Sequence, residues 1–78
     1  MTTTPLQSTS LAGAGYDPAA RLLQIEFRNR AVYLYIGVPG AVYDGLLGAS
    51  SKGSYFNREI RNRFAYRRLP SQEPDIHE

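Results

Sequence analysis

At 78 residues the chain is long enough for one small domain, and a domain of this size buries only about 60% of the surface its unfolded form exposes. With no cysteine and a single histidine, it has neither disulfides nor a clustered His/Cys zinc site to reinforce a small core, so apolar packing has to hold it together. The formal net charge of +2 is unevenly spread: all nine Lys and Arg lie at or before Arg68, whereas Glu73, Asp75 and Glu78 crowd the last residues. Leu, Ile, Val, Phe and Tyr are dense between Leu11 and Leu69, which argues against intrinsic disorder. The Thr-rich start has no basic stretch followed by an apolar one, so it does not read as a secretory signal. No apolar run approaches the roughly 20 residues of a membrane span. A soluble, cytoplasmic protein that does not engage membranes is expected, with a flexible stretch over residues 1–7, one domain over 8–69 and an acidic, disordered tail over 70–78.

In chain order, Ser8 to Ala14 reads as a short strand, and Tyr16-Asp17-Pro18-Ala19-Ala20 as the turn that follows it, with Pro18 suited to the second position of a type I turn. Arg21 to Arg28 then alternates, placing Leu23, Ile25 and Phe27 on one face. Ala31 to Ile36 is the next strand. A two-residue turn at Asn29-Arg30 would set Phe27 opposite Val32, Ile25 opposite Leu34 and Leu23 opposite Ile36. Tyr33 and Tyr35 would then share the polar face with Glu26 and Gln24. Pro39 fits the first turn of a helix whose apolar stripe is Val42, Leu46 and Ala49, flanked by Tyr43 and Leu47. Gly45 and Gly48 each cost about 1 kcal/mol in a helix interior, so this helix should form only when docked. Ser50 to Ser54 is a loop, with Ser54 a plausible N-cap for a second helix carrying Phe56, Ile60 and Phe64 at i, i+4 and i+8. Glu59 and Arg63 are spaced for an i,i+4 ion pair. Ala65 to Leu69 is a short strand or a helix end. The sum is an α+β domain, a small antiparallel meander of about three strands packed with two short helices.

These residues make a recognisable string: Gly15-Tyr16-Asp17, Leu23-x-Ile25-x-Phe27, Tyr33-x-Tyr35, Val38-Pro39, Val42-Tyr43, Leu46, Ala49, Ser51, Gly53, Tyr55-Phe56-Asn57 and Ile60-Arg61. The series resembles the KTSC family over about Ser8 to Leu69. That family takes its name from a C-terminal segment of some lysyl-tRNA synthetases and also occurs as small free-standing bacterial proteins. The resemblance supports the fold more than a function; its synthetase association suggests RNA. One departure bears on the hairpin. The family commonly has glycine three residues after the strand phenylalanine, where this chain has Arg30, and a type I′ turn would require positive φ there. A turn one residue longer would move the register.

Two function classes follow. In the first, the domain binds single-stranded RNA or DNA: Tyr33 and Tyr35, two apart on one strand, stack bases, while Lys52, Arg58, Arg61, Arg67 and Arg68 track phosphates. Their plain alternative is that the Phe56/Ile60/Phe64 helix or the C-terminal segment covers the tyrosines as core and the arginines are ordinary solvated charge. Arg61 has a further structural option, binding Asp17 or Glu26. In the second class the domain is a protein-protein interaction or self-association module acting through an open sheet edge or through tyrosine and arginine contacts.

An anion-binding loop of Ser51, Gly53 and Ser54, with Lys52 adding charge, is a further candidate; its plain reading is an interhelical turn with a cap. Gly48 to Gly53 has the P-loop glycine spacing, but Ser54 stands where lysine is needed, which argues against nucleotide hydrolysis. With His77 in the tail and Asp17, Glu26, Asp44 and Glu59 forming no evident acid/base pair, neither an enzyme nor a cofactor or metal site is expected.

Overall fold

The computed structural model describes residues 3–70, so the acidic segment beyond Pro70, with Glu73, Asp75, His77 and Glu78, lies outside the described residues. Five strands form one antiparallel sheet in sequence order: β1 (Thr4–Pro5), β2 (Leu11–Asp17), β3 (Leu22–Phe27), β4 (Val32–Ile36) and β5 (Tyr66–Leu69). Helices α1 (Gly40–Gly48) and α2 (Lys52–Glu59) fill the connection between β4 and β5. The α+β meander is as read from the sequence, with five strands in place of about three. Tyr66–Leu69 resolves as a strand, and Thr4–Pro5 adds an edge from the stretch expected to be flexible. Leu6, just after it, is buried, so packing begins ahead of Ser8.

The turns explain the boundaries. Asp17 accepts the amides of Ala19 and Ala20 on Oδ1, an Asx turn that closes β2 onto β3 and leaves Arg21 at φ 58. In β2 the pairing slips between Leu11 and Gly13, a bulge flanked by small residues; a Cβ at Gly13 would lie 3.2 Å from the Thr4 carbonyl. Pro39 stands at the N-cap of α1, and the Tyr16 hydroxyl donates to the Val38 carbonyl at 2.6 Å while its ring stacks on Tyr43 at 5.2 Å. That contact fixes where α1 leaves the sheet.

The β3–β4 hairpin corrects the expected register. The loop is three residues long: the Phe27 amide donates to the Ala31 carbonyl at 2.8 Å, the Arg30 amide donates to the Phe27 carbonyl at 3.0 Å, and Arg30 adopts φ 75. This is the longer turn, closed by a residue in the left-handed region. It pairs Leu23 with Tyr35 and Ile25 with Tyr33, so the tyrosines share the inner face with Leu23 and Ile25. Leu34 and Ile36 turn to the outer face, where Ile36 is 44% exposed. The left-handed conformation costs an L-residue roughly 1–2 kcal/mol, part of which a glycine would return as chain entropy. Arg30→Gly is therefore expected to raise stability by about 0.5–1 kcal/mol, or a Tm gain of roughly 2–8 °C by scanning calorimetry. An unchanged or lower Tm would mean that the Arg30 side chain contributes more than its backbone costs.

The helices pack on the inner face. Leu11, Leu23, Ile25, Val38, Leu46 and Ile60 are fully buried there, each contributing about 1.5–3 kcal/mol by leaving water. Helix α2 starts earlier and ends earlier than expected. Ser51, not Ser54, is the N-cap, its Oγ accepting the Ser54 amide at 3.3 Å, and the helix closes at Glu59 with Ile60 as C-cap. The chain then turns through Asn62 at φ 66, and Phe64 reaches the core from beyond the helix. Because the helix stops, Arg63 does not face Glu59: Glu59 pairs with its neighbour Arg58 at 3.0 Å, and Arg63 Nε donates to the Arg58 carbonyl.

Candidate functional site: an aromatic groove rimmed by arginine

Between the inner face of β3–β5 and helix α2 the chain leaves a groove of about 680 Å³. Its floor is aromatic. Phe27 meets Tyr33 and Phe56 edge-on at 5.5 and 5.4 Å, and Tyr35 meets Phe56 edge-on at 5.6 Å. Tyr66 lies over both strand tyrosines, 5.4 Å from Tyr33 and 5.6 Å from Tyr35, and the residue is 56% exposed. The rim carries Arg28, Arg61 and Arg68 with the amides of Asn57 and Asn62, and no lining residue is acidic.

The three arginines are not equivalent. Arg28 donates from Nε to the Ser8 carbonyl and from its guanidinium to the Leu6 carbonyl at 3.0 Å, so it ties the N-terminal segment to the β3–β4 loop. Arg68 stands over the Tyr33 ring at 5.9 Å, a cation–π contact. Arg61 reaches neither Asp17 nor Glu26: no ion pair joins them among the described residues. Arg61 and Arg68 are thus the groove arginines whose guanidinium makes no hydrogen bond or ion pair among the described residues.

Tyr35 is only 4% exposed, which removes it as an open stacking surface; the register places its ring under Phe56 and Tyr66. Burial pushes its hydroxyl from 10.0 up to about 12, with Tyr33 and Tyr66 adding to the rise and Arg61 opposing it. Because the folded state holds this proton more tightly, the stabilisation is complete below pH 10 and is lost as pH rises from 10 towards 12. Urea denaturation at about pH 9 and about pH 11.5 should show a loss of about 2 kcal/mol that Tyr35→Phe largely abolishes. An equal loss in the variant would place the alkaline sensitivity elsewhere.

The expected basic cluster divides in three. Tyr33, Tyr35, Arg61 and Arg68 meet in the groove. Lys52, Ser51, Gly53 and Ser54 line a second concavity of about 1040 Å³ that shares Ser10, Arg28, Gly53 and Asn57 with the first. There the Lys52 ammonium donates to the Ala49 carbonyl at 2.9 Å and Ser51 caps the helix. Arg58 and Arg67 fall outside both: Arg58 is paired with Glu59 and packed over Tyr55, and Arg67, opposite Leu34, is on the outer sheet face. The groove also uses Arg28, Asn62 and Tyr66, which the sequence did not single out. Tyr66 could have been found from the register, since a strand at 66–69 beside β4 puts it across from Tyr35.

Fold and site together define a small α+β domain with one covered sheet face and an arginine-rimmed aromatic groove at its edge. The KTSC domain model matches residues 7–64. The chain belongs to the KTSC domain family. It is 43% identical over 60 residues to a protein of Tsukamurella paurometabola, covering 77% of this chain and 90% of that one. A lysine-tRNA ligase of Nostoc sp. is 39% identical over 54 residues, covering 69% of this chain but 10% of the ligase. A crystal structure of a KTSC domain protein from Yersinia pestis superposes with a TM-score of 0.86 at 35% identity, covering 88% of this chain and 97% of that one. No helix among the described residues is long and apolar enough to cross a membrane.

Proposed function

We propose that the domain is a binding module rather than an enzyme, and that its groove receives single-stranded nucleic acid, RNA foremost. The observation that carries this reading is the composition of the groove: exposed tyrosine, Arg61 and Arg68 with no ion pair among the described residues, two amides and no acid. An unpaired base offers a flat ring for Tyr66 and the Tyr33 edge, base edges for Asn57 and Asn62, and phosphates for the two arginines. Stacking of this kind adds about 1–3 kcal/mol per base. The stacking pair on this reading is Tyr33 and Tyr66, not Tyr33 and Tyr35.

The strand would continue past Asn57 and Gly53 to the concavity of Ser51 and Ser54, where Lys52 keeps two N–H groups beyond its bond to Ala49. The related segment within a lysine-tRNA ligase favours RNA over DNA. The lining holds no carboxylate, histidine or thiol, so it offers no ordinary group to move a proton near neutral pH. On this reading the protein acts in the cytoplasm.

The test is an NMR titration of the labelled protein with a mixed-sequence single-stranded RNA hexamer at low and at moderate salt. Shifts at Tyr33, Tyr66, Arg61 and Arg68, weakening as salt rises, are expected. A spectrum unmoved at about 1 mM RNA at low salt would remove nucleic acid as the ligand, since even non-specific binding reaches roughly 10⁻⁴ M.

A further inference from the structure

The sheet ends in two unlike edges. β1 has two residues, too few to template another strand, whereas β5 has four and, among the described residues, is hydrogen-bonded on one side only. Its pairing with β4 decides which backbone groups are left over. The Ile36 amide donates to the Ala65 carbonyl at 2.9 Å, and in an antiparallel ladder every second residue faces the partner. Ala65, Arg67 and Leu69 therefore spend their amides and carbonyls on β4. Tyr66 and Arg68, across from Tyr35 and Tyr33, direct theirs outward, and no described residue bonds them.

The charge on this edge selects what can use it. Arg67 and Arg68 are both exposed, point to opposite sheet faces, and have no carboxylate partner among the described residues. A second copy of β5 laid antiparallel with its outward-bonding residues opposed would set Arg67 against the other copy's Arg67 or, one step along, Arg68 against the other copy's Arg68, which opposes self-pairing. An incoming strand with two consecutive acids would instead place one carboxylate beside each arginine, one on each face. We propose that the free edge of β5 receives an extended acidic peptide as a sixth antiparallel strand, with main-chain bonds to Tyr66 and Arg68 and carboxylates against Arg67 and Arg68. Backbone pairing supplies affinity and the arginines supply selectivity. This surface is the outer backbone edge of β5 and not the groove, although Tyr66 and Arg68 contribute to both.

The probe is a capped hexapeptide, Val-Thr-Glu-Glu-Val-Thr, with a Lys-Lys counterpart and a version N-methylated at alternate residues. Amide exchange and chemical shifts of the full chain are followed by NMR. The acidic peptide should slow exchange at the Tyr66 and Arg68 amides by about tenfold or more, whereas the N-methylated peptide, with equal charge, should bind at least tenfold more weakly. Arg68→Ala, which keeps the amide, should weaken binding by up to about fivefold. Arg68→Pro removes the outward N–H as well as the guanidinium, a change an edge strand tolerates, and unlike Arg68→Ala it should abolish the protection at the Tyr66 amide. The inference is overturned if the N-methylated or the Lys-Lys peptide binds as well as the acidic one. It is equally overturned if a single-stranded RNA, and not the peptide, protects those two amides, since that would make nucleic acid the occupant of this edge. The N-methylated comparison remains decisive should Arg68→Pro fail to fold.

Discussion

Phe56→Ala is expected to lower stability by about 3–5 kcal/mol, the largest effect of any single substitution considered. Phe56 is 5% exposed and meets Phe27 and Tyr35 edge-on at 5.4 and 5.6 Å, so one ring joins α2 to both central strands. Edge-to-face pairs add about 0.5–1.5 kcal/mol each beyond the area they bury. Helix α2 spans eight residues, too short to persist without tertiary contacts, and Phe56 is its buried residue. A chain of this length commonly has roughly 4–12 kcal/mol of total stability, so the variant should be near its unfolding threshold. Urea denaturation followed by circular dichroism at low temperature would measure it, with Phe56→Leu losing only about 1–2 kcal/mol. A near-native midpoint for Phe56→Ala would mean that α2 is held by Ile60 and Tyr55 without this ring.

The second large effect concerns binding. Arg61→Ala with Arg68→Ala should weaken single-stranded RNA binding by at least tenfold at low salt and reduce the slope of log affinity against log salt by about 1.4, roughly 0.7 per phosphate lost on a single strand. Both residues are exposed and neither holds a carboxylate among the described residues, so the fold should survive the change. Arg58→Ala with Arg67→Ala removes the same formal charge from positions outside the groove. That control should leave most of the affinity and slope in place, because screening confines exposed charges to about 8–10 Å. Fluorescence anisotropy with a labelled RNA hexamer across a salt series separates the pairs. Equal losses in both would show that net charge, not the groove, attracts the RNA.

Much of the fold was legible in the residues. Alternation at Leu23, Ile25 and Phe27, the proline before α1, the Asp17-Pro18 turn and the Phe56/Ile60 pair each report a local preference that the tertiary structure keeps. The family series from Gly15 to Arg61 was legible for the same reason, since it records residues that pack or turn in fixed order. The stopping point of α2 was not, because the apolar repeat at Phe64 continues past the turn at Asn62.

The hairpin marks the boundary most clearly. In Val32-Tyr33-Leu34-Tyr35-Ile36 both alternating sets are apolar enough to line a core, so periodicity alone cannot say which set faces inward. One residue more than the expected Asn29-Arg30 turn, making the loop Arg28-Asn29-Arg30, decides it, sending the tyrosines under α2 and Ile36 to the outer face. The site follows from that choice. Tyr35 becomes floor, Tyr66 and Arg68 are carried to Tyr35 and Tyr33 by pairing across more than 30 residues of chain, and Arg67, adjacent in sequence, is sent to the opposite face. Composition determined a small, basic, cysteine-free domain held by apolar packing. Which basic and aromatic residues meet was left to strand register, a long-range property that no local pattern encodes.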